Sequence, residues 1–426
     1  MEKDTNRKNI TVTMLVVGDE ILNGRTKDLN ASFLTKYFFK IGLHLEKIEF
    51  IRDDEAQFNE VLTRVKKHSD IVITSGGIGP TLDDLTKKCL ANYFHKPLVE
   101  NQEVVKIVEK NYERFGRKWE PSLNFYHIFP RDFLAFNNPK GLAPGLGFYD
   151  QESDTLILSA PGVPREFEVM VEEEFFPFIE KKYANRFQKT YQTVVRTHSV
   201  PEEKIFGEIE PNLWAELEKF GKVSSLPHVI GIDIIVTYPS DEKTHLINEK
   251  KIHEIFERSK MRDYVWQYGN KDLSQLLLET LIEKNITIGF AESCTGGLAS
   301  SKITDLSGSS SVFKGSIISY SNEIKQNLLG VKQTTLENFG AVSCECATEM
   351  ALGLREKLKV DIAVAITGIA GPTGGSADKP VGTVCFGLVS NKSTISEKHN
   401  MPGDRVRKKN RFSEYALWMI YREISK

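Results

Sequence analysis

The chain has 426 residues, of which 40% are hydrophobic and 27% charged, with 56 Lys and Arg against 58 Asp and Glu. That balance excludes a disordered or fibrous chain and gives no broad basic footprint for nucleic acid, so small-molecule partners are expected. The length allows about three domains, and cysteines at 89, 294, 344, 346 and 385 are too few and too scattered for a disulfide framework, which fits a reducing, cytoplasmic setting.

The first apolar run, within 12–19, follows a polar stretch and is short, so it reads as a strand and not as an export signal. No later run approaches the ~18 apolar residues of a membrane span, and no membrane anchor is expected. The stretch "NASFLTKYFFKIG" at 30–42 reads as a helix and "HLEKIEFIRD" as a strand, the alternation of a parallel sheet with crossover helices. A helix "QFNEVLTRVKKHS", a buried strand "DIVITSGG" and a helix opening at Thr81 continue it, giving an α/β domain over 1–172. The segment "TLILSAPGVPREFEVMVEEEFFPFIEKKY" supplies its last strand, a turn and a helix.

Residues 173–260 mix strands with a charged helix and predict a small α+β module, and 261–272, "MRDYVWQYGNKD", predicts a linker. From 273 to 426 a second α/β region carries strands at "ITIGFAES", "KGSIISYS", "VDIAVAITG" and "VGTVCFGLVS". No repeat of fixed period and no low-complexity tract interrupts the chain.

Two stretches place glycines between a strand end and a helix start, where backbone N–H groups gather around an anion. In the first, "GGIGPT", Gly76, Gly77, Gly79 and Thr81 are candidate ligand contacts, and Asp83 and Asp84, with Asp19 and Glu20 at another strand end, are candidate ligands of a divalent metal. In the second, "AESCTGGLASSKI", a phosphate cradle is one reading and a nucleophilic Cys294 another, although a cysteine needs a base and no histidine precedes His399 in that region.

Just after the second, "GSSSVFKGSIISYSNEIK" offers Ser309 or Ser310 as nucleophile, Lys325 as base and Tyr320 as proton relay, on the reading that the strand brings turn and helix start together. A buried lysine is neutral more readily than a solvated one, which is what proton abstraction requires. The glycine-rich "AVAITGIAGPTGGSADKPVGT" suggests oxyanion donors, and Arg405 in "PGDRVRKKNR" a bidentate phosphate clamp.

Together "AESCTGGLASSKITDLSGSSSVFKGSIISYSNEIKQNLLGV", "FGAVS", "TGIAGPTGG" and "KPVGTV" resemble the C-terminal domain of the CinA family, a nicotinamide-nucleotide amidase domain. "GDEILNGRTKDLNASFL", "SGGIGPTLDDLT" and "APGVPRE" resemble its usual partner, a domain similar to molybdopterin-binding proteins, and the resemblance covers nearly the whole chain. It implies hydrolysis of nicotinamide mononucleotide to nicotinate mononucleotide and ammonia without a metal, with the family's nucleophile on Ser310, its tyrosine on Tyr320 and its lysine on Lys325.

Ser293, Thr295, Gly296, Thr367, Gly368 and Arg405 are the substrate contacts that the same resemblance implies. Where the family has a second arginine one turn after "GDR", this chain has Lys409. For the N-terminal domain the resemblance implies a metal-dependent ADP-ribose pyrophosphatase in some members and a pterin-binding module in others. It also implies a homodimer.

Overall fold

A computed structural model describes residues 10–81, 84–183, 186, 187 and 189–425. Contacts divide them into two compact units, one of the residues up to Gln192 with Thr237–Glu249, the other of Thr193–Val236 with the residues from Lys250 on.

In the first unit β1 (Thr11–Val17), β2 (His44–Ile51) and β3 (Ile71–Ser75) precede a small antiparallel pair, β4 (Leu98–Glu100) and β5 (Ile128–Pro130). Then come β6 (Leu134–Phe136), β7 (Gly145–Asp150) and β8 (Thr155–Ala160). The sheet runs β2-β1-β3-β8-β7-β6, with the first four strands parallel and the last two antiparallel. β1, β3 and β8 are buried throughout, because each is covered on both faces. Leu15 and Val17 of β1 join a core with Phe58 and Leu90, whereas Val12, Met14 and Val16 join another with Phe38 and Phe167.

The helix after β8 does not stop near 172. It runs from Pro164 through a π-helical turn, Val171–Phe175, to Tyr183, and buries Phe167, Met170, Phe175 and Ile179. Pro177 has no N–H to donate, and the wider turn, in which the Phe176 N–H reaches the Val171 carbonyl, lets the helix continue through it.

The second unit holds β10 (Lys222–Pro227), β12 (Val265–Tyr268) and most of β9 (Thr190–Thr197) and β11 (Ile232–Pro239), ordered β10-β11-β9-β12. The expected linker over 261–272 is therefore a correction: its centre is the edge strand β12, antiparallel to β9. Its aromatics are anchors, since Trp266 packs 5.6 Å from Trp418 and 5.7 Å from Tyr421 between ring centroids.

A five-stranded sheet, β14-β13-β15-β16-β17, completes the unit. β13 (Ile288–Glu292), β14 (Phe313–Ile318) and β15 (Ile362–Gly368) are parallel, and β16 (Thr383–Val389) and β17 (Thr394–Asn400) antiparallel. Helices cover both faces, Cys344–Leu358 against Ala363 and Ala365, and Arg405–Ile424 against Val364 and Ile366. No helix of the described residues is long and apolar enough to cross a membrane.

Candidate active site

Because β13, β14 and β15 are parallel, their carboxyl ends open on one edge of the sheet. A cavity of about 350 Å³ lies there, lined by Ser293, Tyr320, Lys325, Gly368, Gly371 and Arg405 among others. The Ser321 hydroxyl accepts from the Ile324 N–H and caps the helix Asn322–Leu329, whose first turn delivers Lys325 to the cavity floor.

Lys325 is 1% exposed. Its Nζ stands 2.7 Å from the Ser319 carbonyl oxygen, 3.4 Å from that of Tyr320 and 3.1 Å from the Ser293 Oγ. Burial holds its pKa below the usual lysine range, against a smaller opposing pull from the thiols of Cys346 and Cys294. A neutral amine has two N–H groups and one lone pair. The Nζ donates to the Ser293 Oγ as well as to both carbonyls; once the amine is neutral and the carbonyls keep its two N–H groups, the lone pair is left for the Ser293 hydroxyl.

Ser293 is held by its backbone, the N–H donating to the Ile366 carbonyl at 2.9 Å. The turn after it is fixed by Glu292, a fully buried carboxylate. Glu292 accepts from the N–H groups of Gly297 (2.9 Å), Ala299 (3.2 Å) and Ser300 (2.9 Å) and from the Ser300 hydroxyl at 2.6 Å. The helix N-terminus expected to cradle a phosphate is thus filled by the chain's own carboxylate. Sequence reasoning passed over Glu292, although an acid directly before "SCTGG" was the signal for such a plug.

Thr295 is fully buried and Gly296 lies exposed with φ +63°, and neither lines the cavity. Thr367 donates its hydroxyl to the Ala341 carbonyl at 2.7 Å, and with Gly368 it forms one wall. At the rim Arg405 donates to the Gly371 carbonyl at 2.7 Å and to the Tyr320 hydroxyl at 3.3 Å. Lys409 reaches over the Gly296 turn, where a Cβ would stand 3.8 Å from its Nζ. Burial pushes the Cys294 thiol up to about 12, which leaves it without thiolate near neutrality.

Ser310 does not join this group. It sits exposed in the turn Ser309–Ser311 before β14, while Tyr320 and Lys325 follow the strand's other end. Six extended residues separate the two by about 20 Å, and neither Ser309 nor Ser310 lines the cavity. Tyr320 is no relay either. Its side chain is 64% exposed, its hydroxyl bonds Arg405, and only its carbonyl meets Lys325.

The first unit has a cleft of about 500 Å³ at the end of β3, lined by Gly77, Gly79, Asp84, Arg117, Lys140 and Glu166 among others. Gly76 and Gly77 have φ of +102° and +70°, and a Cβ on Gly77 would fall 2.3 Å from the Thr86 Oγ1. The helix here starts at Thr86 and not at Thr81, its Thr86 N–H and hydroxyl donating to the Gly77 and Gly76 carbonyls. Thr81 lies in the preceding loop, donating through N–H and hydroxyl to Asp84.

The expected carboxylate quartet is not assembled there. Asp19 pairs with Arg52 at 3.3 Å and its N–H donates to Asp53, Glu20 folds beside Gly18, and neither lines the cleft. Asp83 lies outside the described residues. Glu166, missed from sequence, lines the cleft with Asp84 but accepts from Asn138 at 2.7 Å. Among the described residues no three His, Cys, Asp or Glu side chains come together as a metal site.

The two halves match two family models: a probable molybdopterin binding domain over residues 13–181 and the CinA C-terminal domain over 270–424. The class of protein is therefore a tandem of these two α/β modules. A CinA-like protein of Flavobacterium psychrophilum is 35% identical over 417 residues, spanning 97% of this chain and 98% of that one. Another, from Chlorobium limicola, is 35% identical over 420 residues, 96% of each chain. The solved structure of competence/damage inducible protein CihA from Agrobacterium tumefaciens is 34% identical, covering 36% of this chain and 94% of that one with a TM-score of 0.35. The chain belongs to the CinA family.

Proposed function

We propose that the second unit is a serine amidase that hydrolyses the carboxamide of nicotinamide mononucleotide, with Ser293 as nucleophile and Lys325 as its base. The observation that carries the reading is the buried Lys325 amine, 3.1 Å from the Ser293 hydroxyl at the floor of a cavity. Ser293 Oγ attacks the amide carbon while its proton passes to Lys325. The tetrahedral intermediate collapses as Lys325 returns the proton to the leaving nitrogen, so ammonia departs and an acyl ester remains. Water then gives a proton to Lys325 and its hydroxide to the acyl carbon, which releases the carboxylate and restores Ser293. Arg405 at the rim holds the substrate phosphate. The reading assigns this reaction no metal.

The test is ammonia release from nicotinamide mononucleotide by the full chain. Ser293→Ala is expected to lose about 10³-fold or more in kcat/KM, whereas Ser310→Ala and a chelator leave it unchanged. Undiminished release by Ser293→Ala overturns the nucleophile, and no release by the folded parent overturns the amidase and favours a binding protein.

For the first unit we propose that the cleft binds a phosphate-bearing ligand through Arg117 and Lys140. ADP-ribose cleavage is the reading drawn from the resemblance, and ADP-ribose turnover with and without added magnesium tests it. Binding that survives Lys140→Ala unchanged would remove the cleft from the proposal. The homodimer drawn from the same resemblance is a proposal that sedimentation at working concentration checks.

A further inference from the structure

Of the five cysteines, Cys89, Cys294, Cys346 and Cys385 are buried and Cys344 alone is partly exposed. The amidase reaction proposed above makes no use of it. Cys344 opens the helix Cys344–Leu358, just after the N-cap Ser343, whose hydroxyl accepts from the Cys346 N–H at 3.1 Å.

The fold brings this residue to a second cysteine. Along β16 the even-numbered Val384, Phe386 and Leu388 enter the core on one face of the sheet, and Val389 enters the core under the helix Cys344–Leu358. Alternation therefore turns Cys385 and Gly387 toward that helix as well. Gly387 marks a close approach, since a Cβ there would stand 2.4 Å from the Ala347 carbonyl oxygen. The helix runs against β15, which follows it, and β16 is antiparallel to β15, so helix and β16 run in the same sense. From the Gly387–Ala347 contact, Cys385 lies two residues back along the strand and Cys344 three back along the helix, about 6.6 and 4.5 Å in the same direction.

The two thiols meet there. Burial holds the Cys385 thiol above its ordinary range, and the Cys344 sulfur raises it further, by its charge and by a hydrogen bond between them, against the weaker pull of the Lys398 and Lys379 ammonium groups. One thiol is open to reagents and the other is held behind it. Both adjoin the wall of the Lys325 cavity. Cys385 stands opposite Thr367 in the strand register, and Cys344 follows Ala341 and Val342, which line the cavity. The Thr367 hydroxyl, donating to the Ala341 carbonyl at 2.7 Å, ties the two sides together.

We infer that Cys344 and Cys385 form a reversible oxidation site, which a hydroperoxide closes to a disulfide. The Cys344 thiolate attacks the peroxide and its O–O bond breaks, leaving a sulfenic acid on Cys344 while the departing oxygen takes up a proton. The Cys385 sulfur then displaces the hydroxyl from the Cys344 sulfur, and its own proton leaves with that hydroxyl as water. Two electrons pass from the dithiol to the peroxide, and a thiol reductant returns them. A disulfide holds its sulfurs about 2.05 Å apart, far closer than hydrogen-bonded thiols. Since β16 is paired on both sides, the helix start is the part that moves, and with it the cavity wall at Ala341 and Val342. The effect of closure on amide hydrolysis rests on the amidase reading; the disulfide does not.

The test is hydrogen peroxide treatment of the full chain, followed by alkylation of the remaining thiols after denaturation and peptide mapping without reductant. A Cys344–Cys385 cross-link is expected, with Cys89, Cys294 and Cys346 alkylated, and dithiothreitol reverses it. Cys344→Ser, a mild change at a partly exposed helix start, and Cys385→Ala each abolish the cross-link, whereas Cys346→Ser retains it. Amide hydrolysis is expected to fall about tenfold or more on oxidation of the parent, to recover with dithiothreitol, and to resist peroxide in Cys344→Ser. All five thiols alkylated after treatment, a cross-link between another pair, or sulfinic acid at Cys344 with Cys385 left free overturns the site. A cross-link that leaves hydrolysis unchanged overturns the link to the cavity wall. No hydrolysis by the untreated parent counts against the amidase alone, because the mapping still decides the site.

Discussion

The turn at Ser75–Gly79 and the turn at Glu292–Gly297 are built alike: a fully buried parallel strand, a pair of glycines with positive φ, then a helix. In the first the helix start is met by backbone carbonyls, the glycine loop borders an open cleft, and of the charged side chains around it only Asp84 is close in sequence, Arg117, Lys140 and Glu166 coming from farther along the chain. In the second the helix start is met by a buried carboxylate, which removes the anion site but fixes the residue just before the glycines against a buried amine. On the proposed reading, the same local pattern serves binding in one unit and activation of a hydroxyl in the other. What separates them is the charge that satisfies the helix N–H groups.

Removing the amine is the hardest blow to that contrast. Lys325→Met is expected to lower kcat/KM for the amide about 10³-fold or more, with little loss of fold since a methionine fits the buried channel. In the parent the rate is expected to rise with pH as Lys325 loses its proton, from below the ordinary lysine range, because burial depresses the folded pKa. Between the depressed folded value and the ordinary unfolded one the unfolded chain binds the extra proton, so this contribution grows with pH there and is lost as pH falls. A pH profile of kcat/KM beside urea melts checks both.

In the first unit, Gly77→Ala forces a side chain into positive φ and against Thr86, at a cost of about 2–4 kcal/mol. Urea unfolding reads it, and the amide reaction of the second unit is expected to stay as it is. Glu292→Gln keeps the shape of the plug but loses an acceptor oxygen and the charge, for about 1–3 kcal/mol and a fall in kcat beyond what the melt predicts. A kcat unchanged at full folding would make Glu292 a cap and nothing more. The smallest expected effect is Arg405→Lys, which keeps the charge but not the fork and raises KM about tenfold with kcat nearly constant.

Much of this was legible in the chain. Continuous apolar runs such as Ile71–Ser75 and Ile362–Gly368 are buried parallel strands, and glycines at their ends mark the edges where ligands lie. Lys325 was legible because "SNEIK" writes a capped helix start. The nearness of Ser293 to Lys325 is not legible there, because spacing along a strand is not nearness: a six-residue strand holds its ends apart, and the two meet only through the pairing of β13 with β14. Likewise "VWQY" looks like a linker until Trp418, over a hundred residues on, supplies the surface it packs against.

That packing bears on how separable the two modules of the second unit are. Trp418 is 3% exposed, in contact with His198 of the middle sheet at 5.2 Å and with Trp266. A C-terminal module cut free at about 270 would turn this indole, and Tyr421 stacked on it, out to solvent as an adhesive spot. In this chain, then, the C-terminal module relies on its neighbour to cover one face, and an excised module is expected to need a polar residue at 418 to stay monodisperse.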